Sequence, residues 1–141
     1  MNLDKLHPRF KSLIQRKALV DGYNDGVTAL AGLIAHGRGE AYDYILGEKT
    51  LEHARKAITA AAALLLLSSR PVISVNGNTA VLCPADIVKL ANVCDAELEV
   101  NLFHRTEERI LKIEKILNEY GAKKVLGISQ EKKITGIASN R

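Results

Sequence analysis

The chain has 141 residues, 47% of them apolar and 26% charged, with a net charge of +4 from 20 basic and 16 acidic side chains. This length suits one domain or part of one, and the composition allows a real core, which excludes disorder as the dominant state. The longest aliphatic run, residues 60–67, is well short of the roughly 20 residues a membrane helix needs, and residues 1–10 lack the apolar stretch of a signal peptide.

The first third reads as helix. Pro8 suits the first turn of one; Leu13, Arg16, Lys17 and Val20 follow, and Gly22 and Gly26 loosen its end. Residues 27–35 form a second apolar segment, expected to end in the loop His36-Gly37-Arg38-Gly39-Glu40. Tyr42, Ile45 and Leu46 suggest a short helix directly after that loop, closed by Gly47. Thr50 is expected to cap a helix running to about Ser69, with His53 where a capping box would place Glu. Residues 57–67 are apolar nearly all round, which implies burial on all sides or at a subunit contact.

Arg70-Pro71 marks a change of period. Residues 72–75 form a β-branched run, hence a strand, which ends in Asn76-Gly77-Asn78. Pro84 starts a helix over 85–92, and 97–101 is a second strand. An amphipathic helix over 107–120 places Ile110, Leu111, Ile113, Ile116 and Leu117 on one side and is capped by Gly121. Residues 124–128 read as a third strand, and 129–141 as a polar, aperiodic tail or linker.

Strands alternating with helices over 71–128 predict a parallel sheet. Right-handed crossovers advancing in one direction put both helices on the same face. A parallel sheet wants both faces buried, so the helices of residues 1–70, the Ala/Leu-rich one above all, are expected to cover the other. The fold class is therefore α/β, a parallel sheet with helices on both faces and a helical N-terminal third. Three strands make a small sheet, and further strands are expected from sequence beyond Arg141 or from another chain.

Charge is spread evenly: residues 1–70 hold 10 basic and 7 acidic groups, residues 71–141 hold 10 and 9. A mild excess suits small anionic ligands. Two Phe, four Tyr and no Trp leave little for a base-stacking surface, so nucleic acid is not the expected partner. Cys83 and Cys94, the only cysteines, match no zinc pattern and read as small buried residues in a reducing cytoplasm.

In open α/β sheets, ligands bind beyond the carboxyl ends of the strands. Those ends carry Asn76-Gly77-Asn78 and Asn101-Leu102-Phe103-His104-Arg105. The first is either a ligand-binding loop, with Gly77 admitting close backbone approach, or simply a turn. Arg38, between Gly37 and Gly39 and just before an expected helix start, makes a plausible anion cradle of a guanidinium, exposed N–H groups and helix dipole. The alternative is a surface loop in which Arg38 pairs with Glu40 or Asp43. The P-loop spacing is absent. His36 reads as a proton carrier or as a histidine held at a helix end. Glu40 reads as a magnesium ligand, a guide for Arg38, or a residue favouring the helix start. Arg16 is most simply solvated. His36, Glu40 and His104 are too scattered to define a metal site.

The segments Leu33-Ile34-Ala35-His36-Gly37-Arg38-Gly39-Glu40-Ala41-Tyr42-Asp43-Tyr44, Gly47-Glu48-Lys49-Thr50, Arg70-Pro71-Val72-Ile73-Ser74-Val75-Asn76-Gly77-Asn78 and Leu98-Glu99-Val100-Asn101-Leu102-Phe103 closely resemble the archaeal phosphopantothenate synthetase family, also called 4-phosphopantoate–β-alanine ligases. The resemblance runs from His7-Pro8-Arg9 to about Ile128. It implies a Rossmann-like, magnesium-requiring homodimer that joins 4-phosphopantoate to β-alanine in coenzyme A biosynthesis, using ATP and releasing AMP and pyrophosphate. It implies ATP contacts at Arg16 and at Arg38 with Gly37 and Gly39. Asn76, Gly77, Asn78, Asn101, Arg105 and Glu40 would line the phosphopantoate side, and His104 or His36 would accept the amine proton. Only about the N-terminal half of the family is matched, and a second nucleotide-binding stretch of the type Asp-Leu-Asn-Pro-x-Ser-Arg is absent from this sequence. The other readings are a non-catalytic module that binds a nucleotide or phosphometabolite, and a scaffold that pairs through the Ala/Leu helix.

Overall fold

In the computed structural model, which describes residues 5–129, the chain runs α1 (Phe10–Asn24), α2 (Leu30–Leu46), α3 (Glu52–Leu67), β1 (Val72–Val75), α4 (Gly77–Leu82), α5 (Pro84–Cys94), β2 (Glu97–Val100), α6 (Glu107–Glu119) and β3 (Val125–Leu126). The tail at 130–141 lies outside the described residues. The strands form one parallel sheet in the order β1-β2-β3. Val72 stands opposite Glu97, Val75 opposite Val100, and Leu98 opposite Val125.

Side chains alternate across a strand, and here the alternation decides where the core lies. Val75, Leu98 and Val100 are fully buried on one face. Onto that face α5 sets Val88 and Ala91, and α6 sets Ile110, Ile113 and Leu117, the last three at the spacing of one helical stripe. Leu111 was expected on this stripe. It is 48% exposed, because it sits about a quarter turn from Ile110. Thr106 caps α6 by accepting a hydrogen bond from the Arg109 N–H at 3.4 Å, and Glu107 and Glu108 in its first turn complement the helix dipole. The third strand is shorter than expected: Gly127, at φ +79°, turns the chain where a Cβ would stand 2.5 Å from the Val100 carbonyl oxygen.

The opposite face carries Val72, Ser74, Glu97 and Glu99. The Ala/Leu-rich helix α3 was expected to cover it. Instead α3 has no buried residue and makes at most marginal contact with the other elements. Ile58, Leu64, Leu66 and Leu67 are exposed. Two glutamates and a serine offer little apolar area to bury, so docking α3 there would gain little. Its N-cap is Leu51, one residue after the expected Thr50.

A larger correction concerns residues 36–40. They form no loop: α2 runs unbroken from Leu30 to Leu46 and passes through Gly37 and Gly39. A mid-helix glycine costs about 1 kcal/mol relative to alanine, so propensity argued for a break. Tertiary contacts override it. The Glu40 carboxylate accepts a hydrogen bond from Arg9 at 3.1 Å and pairs with Arg16 at 3.6 Å, which pins this turn of α2 to the start of α1.

The turn Asn76-Gly77-Asn78 is also a helix start. Asn76 accepts from the Thr79 N–H at 3.0 Å and caps the short α4, an element that the sequence pattern did not reveal. Among the described residues no helix is long and apolar enough to cross a membrane.

Candidate functional site

The carboxyl ends of β1 and β2 open into a cleft of about 230 Å³. Its walls are the first turns of α2, at Ala29, Ala31, Gly32 and Ala35, the α4 start at Asn76, Gly77 and Asn78, and the β2–α6 connection at Leu102, Phe103 and His104. Local chemistry holds these walls together. At Gly77 a Cβ would lie 2.4 Å from the Val27 carbonyl oxygen, so only glycine lets the α4 start press against the segment leading into α2. Asn78 donates its amide N–H to the Gly32 carbonyl at 2.9 Å and locks α4 onto α2. The glycine and asparagines of the expected strand-tip loop therefore shape the cleft.

Arg109 completes it, and the sequence reading did not single it out. Its Nε and Nη2 donate to the Val27 carbonyl at 3.3 and 3.1 Å, and its Nη1 donates to the His104 carbonyl at 2.5 Å. Burial pulls its pKa below the ordinary arginine value, and it stays charged at any pH of interest. In the sequence it looks like one more cation on the polar side of an amphipathic helix. The available signal was its place, three residues past a helix cap that follows a strand end.

A second, smaller cleft of about 90 Å³ lies between α1 and α2, lined by Arg16, Val20, Leu33, His36, Gly37 and Glu40. The two clefts share α2 as a wall. His104 lies in the first and His36 in the second. Gly39 lines neither, and no described residue stands within 4 Å of where its Cβ would be. With α2 continuous, the N–H groups of Gly37 and Gly39 belong to a helix interior, and the expected cradle of free N–H groups and helix start does not exist.

Arg38 is exposed, and among the described residues it makes no ion pair with Glu40 or Asp43, since the partners of Glu40 are Arg9 and Arg16. Residues three or four apart on a helix are neighbours, so Ala31, Ala35 and Arg38 share one stripe. Arg38 stands one turn beyond the alanine that borders the strand-tip cleft. Arg9, another residue the sequence reading passed over, stacks on Tyr44 at 4.6 Å from the ring centre.

Other candidates are already engaged. Arg105 donates to the Gly127 and Ile128 carbonyls at 2.6 and 2.9 Å and braces the end of β3. Asn101 extends the ladder through its N–H, 2.9 Å from the Val75 carbonyl, and its side chain lies outside the cleft. Glu40, held by two arginines, is poorly suited as a magnesium ligand. No cluster of three or more His, Cys, Asp or Glu among the described residues is arranged for a metal. A further cavity, about 520 Å³, lies at the amino ends of the strands beside Pro71, Glu97 and Lys124. Open α/β sheets bind ligands at the other end, and in this cavity Lys124 is already paired with Glu97 at 2.5 Å.

Residues 53–141 match the model of a family described as phosphopantothenate/pantothenate synthetase. Among curated proteins, a 4-phosphopantoate–β-alanine ligase of Thermococcus kodakarensis is 49% identical over 142 residues, covering 100% of this chain and 54% of that protein. One from Methanospirillum hungatei is 54% identical over 121 residues, covering 86% of this chain and 50% of that protein. One from Methanosarcina mazei is 50% identical, also over 121 residues and 86% of this chain, and 48% of that protein. The chain spans about half the length of the curated relatives it matches.

Proposed function

The chain belongs to the phosphopantothenate/pantothenate synthetase family, and from that premise we propose that it serves an ATP-dependent ligase joining 4-phosphopantoate to β-alanine, a cytoplasmic enzyme of archaeal coenzyme A biosynthesis. On this reading residues 1–128 are the first part of one Rossmann-like domain, and a second copy meets the exposed apolar sides of α3 to form a homodimer.

A carboxylate resists attack by an amine, because its charge repels the nucleophile and oxide is a poor leaving group. ATP supplies the remedy: transfer of its adenylyl group to the 4-phosphopantoate carboxylate, with pyrophosphate leaving, turns that oxygen into part of a good leaving group. The neutral amine of β-alanine then attacks the carbonyl carbon, and AMP departs. The protein must bring two polyanions together and hold the reacting atoms in line. Arg16 and Arg38 are assigned to the ATP phosphates, and magnesium bound with the nucleotide would add positive charge against theirs. The strand-tip cleft is assigned to 4-phosphopantoate, next to the start of α2, whose dipole favours an anion. His104, in that cleft, is the better placed base for the amine proton; His36 lies across α2.

The unengaged guanidinium of Arg38, on the helical stripe that leads to the strand-tip cleft, carries this reading. Among the described residues its removal breaks no ion pair or hydrogen bond. Arg38→Ala is therefore expected to lower ATP affinity tenfold or more, the loss a charge-assisted bond implies, with an unchanged melting curve. Calorimetric titration with Mg·ATP checks it, and wild-type affinity in the variant overturns the assignment.

A further inference from the structure

Among the described residues, the positive charge of the strand-tip cleft has no negative partner. Of its lining side chains Arg109 alone is permanently charged, and none is a carboxylate. The nearby acids of α6 do not neutralise it: Glu108 pairs with Lys112 at 2.6 Å, and no ion pair joins Arg109 to any described residue. All three of its hydrogen bonds go to backbone carbonyls. A guanidinium has five N–H donors, so two remain outside these bonds, one on each terminal nitrogen.

We propose that Arg109 is the phosphate-binding residue of the strand-tip cleft. This rests on the ligase reading and deepens it, since the phosphate would be that of 4-phosphopantoate. The three carbonyl bonds fix the guanidinium plane in advance, so little rotamer freedom is lost when an anion arrives. They leave one donor on each terminal nitrogen, and phosphate oxygens are strong acceptors for such charge-assisted bonds. A half-buried cation facing only carbonyl dipoles carries part of a desolvation cost, and a bound dianion offsets it. The same three bonds tie the β2–α6 connection to the segment before α2, so the group that binds also holds two walls at a fixed separation.

A wall brace and a phosphate ligand predict different things. The test is equilibrium binding of 4-phosphopantoate, of pantoate and of inorganic phosphate to wild type, Arg109→Gln and Arg109→Lys. A phosphate ligand makes the preference for 4-phosphopantoate over pantoate fall tenfold or more in Arg109→Gln, with part of it restored in Arg109→Lys, which keeps charge without the fork. Equal weakening of both compounds, or no change in their ratio, overturns the proposal. So does a wild type that binds none of the three probes.

Inorganic phosphate held in an Arg109-dependent way, with neither pantoate compound bound, supports the anion site and overturns the ligase reading instead. If both variants fail to fold, the Arg109 Nε resonance of wild type is followed by NMR during phosphate titration: a saturable shift supports the assignment, and no shift overturns it.

Discussion

The segment from β1 to β3 and the helices α2 and α3 before it are built on opposite terms. The first buries Val75, Leu98, Val100, Ile113 and Leu117 almost completely. The second contains 17-residue and 16-residue helices without one buried residue. Yet the unengaged Arg38 stands on α2, and the groups fixed by hydrogen bonds, Asn76, Asn78 and Arg109, stand on the segment that packs. The two parts meet at one seam, where Gly77, Asn78 and Arg109 touch residues 27–32.

Leucine deletions are the sharpest way to break this comparison. Leu98→Ala leaves a hole between β2 and the helices on it, and is expected to cost about 2–5 kcal/mol. The equivalent change on α3, Leu64→Ala at a side chain 68% exposed, is expected to stay within about 0.5 kcal/mol in the monomer. Urea unfolding of both variants checks the pair, and comparable losses would mean that α3 is packed in solution.

Glycine substitutions come next, and they differ in sign. Gly77→Ala sets a Cβ against backbone, 2.4 Å from the Val27 oxygen, which cannot yield as a flexible side chain would. A loss of about 1–3 kcal/mol is expected. At Gly37 a Cβ meets no described residue within 4 Å and the backbone is helical, so Gly37→Ala is expected to stabilise by about 0.5–1 kcal/mol. Thermal melts decide both. Destabilisation at residue 37 would return the segment to a loop.

The seam's side-chain bond is smaller. Asn78→Ala removes the hydrogen bond to the Gly32 carbonyl, half-buried between α4 and α2, and is expected to cost about 1 kcal/mol. Hydrogen exchange is the better readout, because the loss should concentrate at the start of α2 and leave the sheet amides protected.

How much of this was legible in the sequence follows the same division. The sheet segment was readable because its patterns are local: β-branched runs at 72–75, a 110/113/117 stripe, a proline at the start of α5. Each is reinforced by the packing that followed, so pattern and structure agree. The helices misled for the opposite reason. Gly37 and Gly39 argue locally for a break, and what keeps α2 whole is an ion triad joining Arg9, Arg16 and Glu40 across the chain, which no short window contains. Arg109 escaped because its value lies in partners 82 residues away at Val27. α4 escaped because Asn-Gly-Asn signals a turn and a six-residue helix equally well. The strand tips themselves were found by a topological rule, which needs only the order of elements.

The smallest effect concerns Cys83, at the junction of α4 and α5. A cysteine at a helix start is ordinarily a reactive one, since the dipole favours the thiolate. Here burial pushes the thiol pKa up, and Asp86 adds to the shift. The Sγ also donates to the Thr79 carbonyl at 3.6 Å, a bond that only the protonated thiol can make. A folded-state pKa above the unfolded one means that the native state holds the proton more tightly. The thiol's contribution is then complete below the unfolded pKa of about 8.5, and it is lost as pH rises through the folded value. Between pH 7 and pH 10 the wild-type melting temperature should therefore fall slightly more than that of Cys83→Ser. At pH 8 the native thiol should alkylate more slowly than an unfolded one. Parallel losses in both proteins, together with fast alkylation in the native state, would show that the helix dipole prevails over burial at this junction.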